Sequence, residues 1–153
     1  MRPGVRLGID FGSRRIGVAR SDASGMMAFP LTTVTRGEGD LAALASLVVE
    51  HEAIEVIVGL PRNLSGADGP ASDAAREFAA ALAQCVRVPV RLVDERLTTV
   101  SAQRSLHESG RSVRTSRAVI DQAAAVVIVE SALERERLSG LSAGDLVSGG
   151  ADE

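Results

Sequence analysis

The first strand that the sequence predicts carries an acid among apolar residues. Positions 5–12 alternate between the apolar set Val, Leu, Ile and Phe and the set Arg, Gly, Asp and Gly, which is the period of two of a β-strand. Asp10 lies within that alternation, with Gly8 and Gly12 two residues away on either side. Asp is depleted in strands, and a carboxylate near a core needs a partner or a metal ion. Asp10 is therefore either an edge residue that faces water or part of a functional site.

The hydrophobic pattern of the remaining chain predicts a mixed α/β sheet. Three strands joined by short turns are expected within residues 5–34, and the two short apolar runs 55–60 and 88–94 are typical of buried parallel strands. Helices are expected over 40–51, 70–86, 98–109 and 117–138. This order gives a five-stranded sheet, with three antiparallel strands and then two parallel strands, flanked by helices.

The composition indicates a single domain with an aliphatic core. A chain of 153 residues can bury a core, and because aromatics make up only 2% of it, that core must consist of Ala, Val, Leu and Ile. We assign the domain to residues 1–138 and expect the Gly-, Ser- and Asp-rich tail, 139–153, to be disordered. The single cysteine, Cys85, excludes an internal disulfide and fits a reducing cytoplasm. No apolar run approaches the roughly 18 residues that a membrane span needs, so we expect no membrane association.

Two further parts of the sequence place acids in unusual positions. Asp94 and Glu95 end the second parallel strand, and ligands of α/β sheets bind at such carboxyl ends. Asp94 can cap the next helix or pair with Arg96, which leaves Glu95 to point elsewhere. Asp121 lies early in an apolar, Ala-rich helix, where it either favours the helix dipole or reaches the strand ends. Three carboxylates without Cys or His form an oxygen-only ligand set that suits Mg²⁺ or Mn²⁺, and two such ions can support phosphodiester cleavage.

The charge distribution is more informative than the net charge. The net charge of −3 does not indicate a nucleic-acid-binding protein. The segment from Arg87 to Arg117, however, contains seven Arg and three acids, and Arg suits bidentate contacts to phosphate. A basic segment around a few acids is what a metal-dependent nuclease needs, although ordinary solvated surfaces can have the same composition.

Four blocks of the sequence resemble the YqgF/RuvX family of bacterial proteins, which are assigned as nucleases with an RNase H-like fold and are related to RuvC-type Holliday-junction resolvases. The blocks are GIDFGSRRIGVA at 8–19, VGLP at 58–61, DERLTT at 94–99 and DQAAA at 121–125. The resemblance covers about residues 7–138, which is nearly the whole chain apart from the tail.

The resemblance implies a chemistry and a substrate class. The metal-binding acids of the family fall on Asp10, Glu95 and Asp121, with two Mg²⁺ or Mn²⁺ ions expected as cofactors. The implied role is processing of the 5′ end of pre-16S rRNA, and resolution of Holliday junctions is the alternative proposed for some members. One departure is visible, because many members carry a Lys just ahead of the last helix where this chain has Arg117. The positive charge is kept, but its contact geometry changes.

The expected partner is nucleic acid, either structured precursor rRNA or branched DNA, with ribosomal assembly components as further candidates. The three phenylalanines, Phe11, Phe29 and Phe78, are expected in the core, so recognition by shape and backbone is favoured over base readout. A monomer is favoured, since the sequence shows no clear dimer face, whereas a junction resolvase would be a dimer. Candidate contacts to nucleic acid are Arg14, Arg15, Arg62, Asn63, Arg96, Arg114 and Arg117.

Two other classes of function remain open from the sequence. ATP-binding proteins of the actin and sugar-kinase type also open with Gly-Ile-Asp-x-Gly, but they need two such domains and this chain has room for one. A non-catalytic module could use the same fold to bind RNA or a ribosomal partner, with the acids in structural roles.

Overall fold

The computed structural model describes residues 1–61, 69–95 and 117–147, and for residues 117–121 it describes the backbone only. The predicted helix at 98–109 lies outside these ranges. The strands are β1 (Val5–Phe11), β2 (Arg15–Ser21), β3 (Ala28–Thr35), β4 (Ala53–Leu60), β5 (Val90–Asp94) and β6 (Asp145–Leu146). The helices of the described ranges are α1 (Asp40–Glu50), α2 (Pro70–Ala83) and α3 (Arg117–Ser139).

The strands form one mixed sheet in the order β3-β2-β1-β4-β5-β6. β1, β2 and β3 are antiparallel neighbours, whereas β4 pairs parallel with both β1 and β5. The predicted α/β class, the antiparallel arrangement of the first three strands and the parallel arrangement of β4 and β5 are therefore confirmed. The described part of the chain has six strands where the sequence predicts five.

The sixth strand lies in the segment that the sequence predicts to be a disordered tail. β6 pairs antiparallel with β5, and the amide of Val147 donates a hydrogen bond of 2.8 Å to the carbonyl of Val90. Ala143 is buried, with 4% of its surface exposed. The Gly- and Ser-rich composition therefore forms a turn that returns the chain to the open edge of β5. Residues 148–153 lie outside the described part of the chain.

The two faces of the sheet have different coverings. Leu7 and Ile9 of β1 belong to the main aliphatic core, which also contains Leu44 of α1 and Phe78 of α2. The alternate positions of β1 face α3, because in a strand successive side chains point to opposite faces. A Cβ atom on Gly8 would lie against the side chain of Val129 in α3. Helices α1 and α2 thus cover one face, and α3 covers the other.

Helix α3 runs antiparallel to β1. Ala125, near the start of the helix, lies over Gly8, with its carbonyl oxygen 3.0 Å from the position that a Cβ of Gly8 would take. Glu136, near the end of the helix, forms an ion pair of 3.1 Å with Arg6, which is closer to the beginning of β1. The first turns of α3 therefore lie at the edge of the sheet where β1, β4 and β5 end.

A buried ion-pair network holds the other end of α3. Arg6 has no exposed surface and Glu136 is 3% exposed. Arg2 donates hydrogen bonds from Nε and Nη2 to the two carboxylate oxygens of Glu136, at 2.9 and 2.8 Å. These bonds lower the pKa of Glu136 from its ordinary value of 4.5 to about 2, although desolvation opposes the shift. Glu55 joins the network through an ion pair of 3.1 Å with Arg2.

No helix within residues 1–61, 69–95 and 117–147 combines the length and the apolar character that a membrane span requires.

Candidate active site

Asp10 lies on the α3 side of β1, one residue before the strand ends. It is buried, with 2% of its surface exposed, and it is paired across β1 and β2 with Gly17. On the other side, Ile9 is paired with Val58 of β4, so Gly59 is the next residue of the neighbouring strand. Since glycine has no side chain, the carboxylate lies in a gap of the sheet surface. The strand alternation that predicted this acid also fixes the face on which it lies.

Glu95 follows directly after β5 and is buried, with 8% of its surface exposed. Its Oε2 atom lies 2.7 Å, and its Cγ atom 3.3 Å, from the position that a Cβ of Gly59 would occupy. The side chain therefore lies over β4, in the space that Gly59 leaves open, on the same face of the sheet as Asp10. Asp94 remains in β5, paired with Leu60. Of the two neighbouring acids, Glu95 is the one that lies over Gly59 beneath α3.

The start of α3 lies over the same edge of the sheet. The amide of Gln122 donates a hydrogen bond of 2.8 Å from Nε2 to Oγ1 of Thr33 in β3. Thr33 is paired with Gly17, which in turn is paired with Asp10. At Asp121 only the helix backbone is described. Residues four apart lie on one helix face, so position 121 shares the face of Ala125, one turn nearer the strand ends.

The arrangement suits a hard divalent cation. Asp10 and Glu95 provide carboxylate oxygens, which are the ligands that Mg²⁺ and Mn²⁺ prefer. β1 and β5 flank β4, so their backbones are about 10 Å apart, and side chains from both can approach each other over Gly59. Among the described residues no three His, Cys, Asp or Glu side chains are close enough to hold a metal ion. The Asp121 side chain lies outside that set, so a three-carboxylate site remains a prediction.

The predicted contacts to nucleic acid are only partly described. Arg14 is exposed in the turn between β1 and β2, and Arg15 is half-buried at the start of β2. Arg15 alternates with Ile16, which lies in the core on the α1 and α2 side, so Arg15 belongs to the face of Asp10. Arg117 is the first residue of α3, with only its backbone described. Arg62, Asn63, Arg96 and Arg114 lie outside the described residues.

The three phenylalanines do not all lie in the core. Phe11 and Phe78 stack with ring centroids 4.3 Å apart, as expected for packed side chains. Phe29 is 38% exposed, so its prediction as a core residue is wrong. It lies on β3, which is an edge strand of the described sheet, so within the described ranges a strand adjoins it on one side only.

Sequence reasoning missed Arg36, which follows directly after β3. Its Nη1 atom donates hydrogen bonds to the carbonyl oxygens of Gly12 and Ser13, at 3.1 and 3.0 Å. Its guanidinium carbon lies 4.2 Å from the centroid of the Phe11 ring, a cation–π contact. Arg36 thus holds the turn that follows Asp10. Only the pairing of β2 with β3 brings these residues together, so no local sequence signal could have identified it.

Comparison with known proteins identifies close relatives. The RuvX family, described as Holliday junction resolvase, matches residues 4–135. A Nocardioides protein named "Putative pre-16S rRNA nuclease" is 55% identical, with 96% of this chain and 98% of the relative covered. A Thermobifida fusca protein of the same name is also 55% identical, with 97% and 99% covered.

The fold is also that of solved structures. Thermus thermophilus RuvC has a TM-score of 0.53 at 16% identity, with 93% of this chain and 99% of RuvC covered. T. thermophilus RuvC in complex with a Holliday junction substrate gives a TM-score of 0.52 at 15% identity, with 94% and 99% covered. At these identities the similarity concerns the fold alone, and it supports the predicted RNase H-like class. With its family match over residues 4–135 and relatives at 55% identity along almost the whole chain, this protein belongs to the RuvX family.

Proposed function

We propose that this protein is a metal-dependent nuclease that hydrolyses a phosphodiester bond during processing of the 5′ end of pre-16S rRNA. The observation that carries the proposal is the placement of two buried carboxylates, Asp10 and Glu95, on one face of the sheet where β1 and β5 end. Carboxylate oxygens such as these are the ligands that Mg²⁺ and Mn²⁺ prefer. The names of the relatives at 55% identity supply the substrate class.

Asp10, Glu95 and Asp121 would hold the divalent ions. When bound, Mg²⁺ or Mn²⁺ would polarise the phosphodiester group and lower the pKa of the attacking water. The protein supplies the orientation of the acids, because the strand ends and the packing of α3 fix the Asp10 and Glu95 backbones. Gly17 of β2 and Gly59 of β4 lie beside the two carboxylates, and Gly59 leaves the space that the Glu95 side chain occupies.

The basic residues of the β1–β2 turn would bind the substrate. Arg14 is exposed and Arg15 lies on the face of Asp10, so both can neutralise phosphate charge next to the acids. Arg62, Asn63, Arg96, Arg114 and Arg117 are further candidates from the sequence. Contacts of this kind position a nucleic acid by its backbone and carry little sequence information.

Resolution of Holliday junctions is the second candidate, favoured by the family description and by the RuvC fold. A junction has two-fold symmetry and requires two coordinated cuts, so a resolvase would present two sites in a dimer. Trimming one end of an rRNA precursor requires one site, and we therefore expect a monomer.

The test compares two substrates under the same conditions. The purified protein, with Mg²⁺ or Mn²⁺, is incubated with 16S rRNA carrying its 5′ precursor extension and with a four-way DNA junction, and its mass is measured in solution. We expect a monomer that shortens the RNA at its 5′ end and leaves the junction intact. A dimer that cuts the junction symmetrically and leaves the RNA intact would reverse this order. Binding to RNA without any cleavage would favour the non-catalytic module.

Two variants attribute cleavage to the site. Asp10→Asn should abolish cleavage while the circular dichroism spectrum stays unchanged, since the amide keeps the shape of the side chain. Asp145→Asn is the matched control, because Asp145 undergoes the same chemical change but is exposed on the edge strand β6.

A further inference from the structure

We propose that Arg36 is a phosphate-binding residue, which holds the nucleic-acid backbone on the side of the β1–β2 turn opposite to Asp10. This inference rests on the proposed action on nucleic acid and adds a contact that the sequence does not predict.

The guanidinium of Arg36 is held in place before any ligand binds. Nη1 is bonded to two carbonyl oxygens of the turn, and the group lies on the Phe11 ring, which is stacked on Phe78. A long side chain normally loses much conformational freedom when it binds. Because this one is already fixed, the entropic cost of a further contact is small.

Part of the guanidinium remains available for an anion. Arginine has five N–H donors, and the bonds to Gly12 and Ser13 both come from Nη1. Within the described part of the chain, Nε and Nη2 donate no hydrogen bond and no carboxylate pairs with Arg36. The residue is exposed. Nε and Nη2 form the edge that binds phosphate oxygens in a bidentate manner.

The position of Arg36 is next to the candidate active site. Its amide donates a hydrogen bond of 3.0 Å to the carbonyl of Arg14, so both arginines lie at the turn that follows β1. Asp10 and Phe11 are consecutive in the strand and point to opposite faces. A nucleic acid that places one phosphate at Asp10 and crosses this turn would therefore bring a neighbouring phosphate to Arg36.

The surroundings of Arg36 allow a polymer to approach. Added Cβ atoms on Gly37 and Gly39 would meet no atom of the described residues within 4 Å, so these residues leave the outer side of the loop open. Two acids lie in this loop region. The Asp40 carboxylate is bonded within the loop, since its Oδ2 accepts a hydrogen bond of 3.0 Å from the Gly37 amide. Glu38 is exposed, and water screens its charge.

The experiment separates a phosphate contact from a purely structural clamp of the turn. Binding is measured in an Asp10→Asn background, so that the RNA stays intact, and the chain without Trp or Tyr requires the fluorophore to be on the RNA. The probe is a hairpin RNA with a single-stranded 5′ extension, titrated between about 50 and 200 mM salt. The variants are Arg36→Gln, Arg36→Lys and Arg87→Gln. Arg87 is an exposed arginine before the start of β5, at the opposite edge of the sheet.

We expect Arg36→Gln to weaken binding roughly 10-fold at the lowest salt. The slope of log K against log salt should also become shallower by about 0.7, the value for one lost contact to a single strand. Arg36→Lys should keep the slope of the parent protein, because it keeps the charge, and Arg87→Gln should leave both quantities unchanged. Thermal unfolding of each variant checks that it is folded.

Three results would overturn the inference. They are an Arg36→Gln line parallel to that of the parent, an Arg36→Lys slope as shallow as the one expected for Arg36→Gln, and the absence of RNA binding by the Asp10→Asn protein. The first two indicate a clamp that acts through shape and not charge. Failure of the nuclease proposal is recognised separately, as an uncut precursor in the presence of Mg²⁺ or Mn²⁺, because the binding titration requires no cleavage.

Discussion

Replacement of Gly59 by alanine tests whether the position of Glu95 matters for function. An added Cβ would lie 2.6 Å from Cδ1 of Ile128 and 2.7 Å from Oε2 of Glu95. Carbon atoms pack at about 3.5–4.0 Å, so both neighbours must move by roughly 1 Å. Both atoms are at the ends of side chains, and the backbone can therefore remain in place. The substitution should move the Glu95 carboxylate without unfolding the protein.

The expected effects on stability and activity differ in size. Overpacking against Ile128 costs about 1–3 kcal/mol of unfolding free energy, and replacing Gly in a strand returns about 0.5–1 kcal/mol of it. The net loss of stability is therefore about 1 kcal/mol. A displacement of about 1 Å in a catalytic group can lower the rate about 100-fold, so activity should fall far more than stability.

A second substitution separates packing from catalysis. Ile128→Val removes the Cδ1 atom that the new methyl group at position 59 would meet, but it leaves Glu95 displaced. The double variant should recover stability in urea unfolding, while its cleavage rate stays as low as that of Gly59→Ala alone. Wild-type activity in a folded Gly59→Ala protein would refute the argument, because the carboxylate would then not need its place over Gly59.

Three further predictions concern α3 and the acids. Glu136→Gln should cost about 3 kcal/mol of unfolding free energy in a urea titration, because it leaves the buried Arg6 without its carboxylate. Glu134 pairs with the exposed Arg137, so Glu134→Gln should change the unfolding free energy by less than about 0.5 kcal/mol in the same titration. The pKa of Glu136 is lowered to about 2, so the stability that this carboxylate contributes is fully present above about pH 5 and is lost as the pH falls towards 2. The Glu136→Gln variant should therefore lose less unfolding free energy than the wild type over this pH range. An equal loss in both proteins would contradict the assignment. Gln122→Ala should lower the unfolding free energy by about 1 kcal/mol, because it removes the hydrogen bond to Thr33. A double-mutant cycle with Thr33→Val in which the two losses of unfolding free energy are additive would exclude that bond in solution.

The face and the end of β1 could be predicted from the sequence because a strand has a strict period of two. That period put Asp10 and Gly8 on one side and Leu7 and Ile9 on the other, as the structure shows. The short turns predicted that the first three strands are antiparallel, and the two apolar runs predicted parallel strands, but the place of β4 next to β1 was not predicted. Local patterns thus predicted the first five strands and their directions.

The rest depended on contacts between distant residues. Whether Asp94 or Glu95 turns towards the site is decided by the last residues of β5 and by the gap at Gly59 in another strand. The direction of α3 is fixed by Glu136, which is 130 positions from Arg6 in the sequence. β6 is only two residues long, too short for a periodic signal. No single segment carries these features.

The central claim is that Asp10, Glu95 and Asp121 together bind divalent cations. The direct test is a crystal structure of the protein soaked in Mn²⁺, in which anomalous scattering locates the ions and electron density shows all three side chains. We predict manganese bound by all three carboxylates at the ends of β1 and β5, and loss of that signal in crystals of Asp10→Asn. Manganese bound elsewhere, or three carboxyl groups well over about 10 Å apart, beyond any two-metal arrangement, would contradict the assignment.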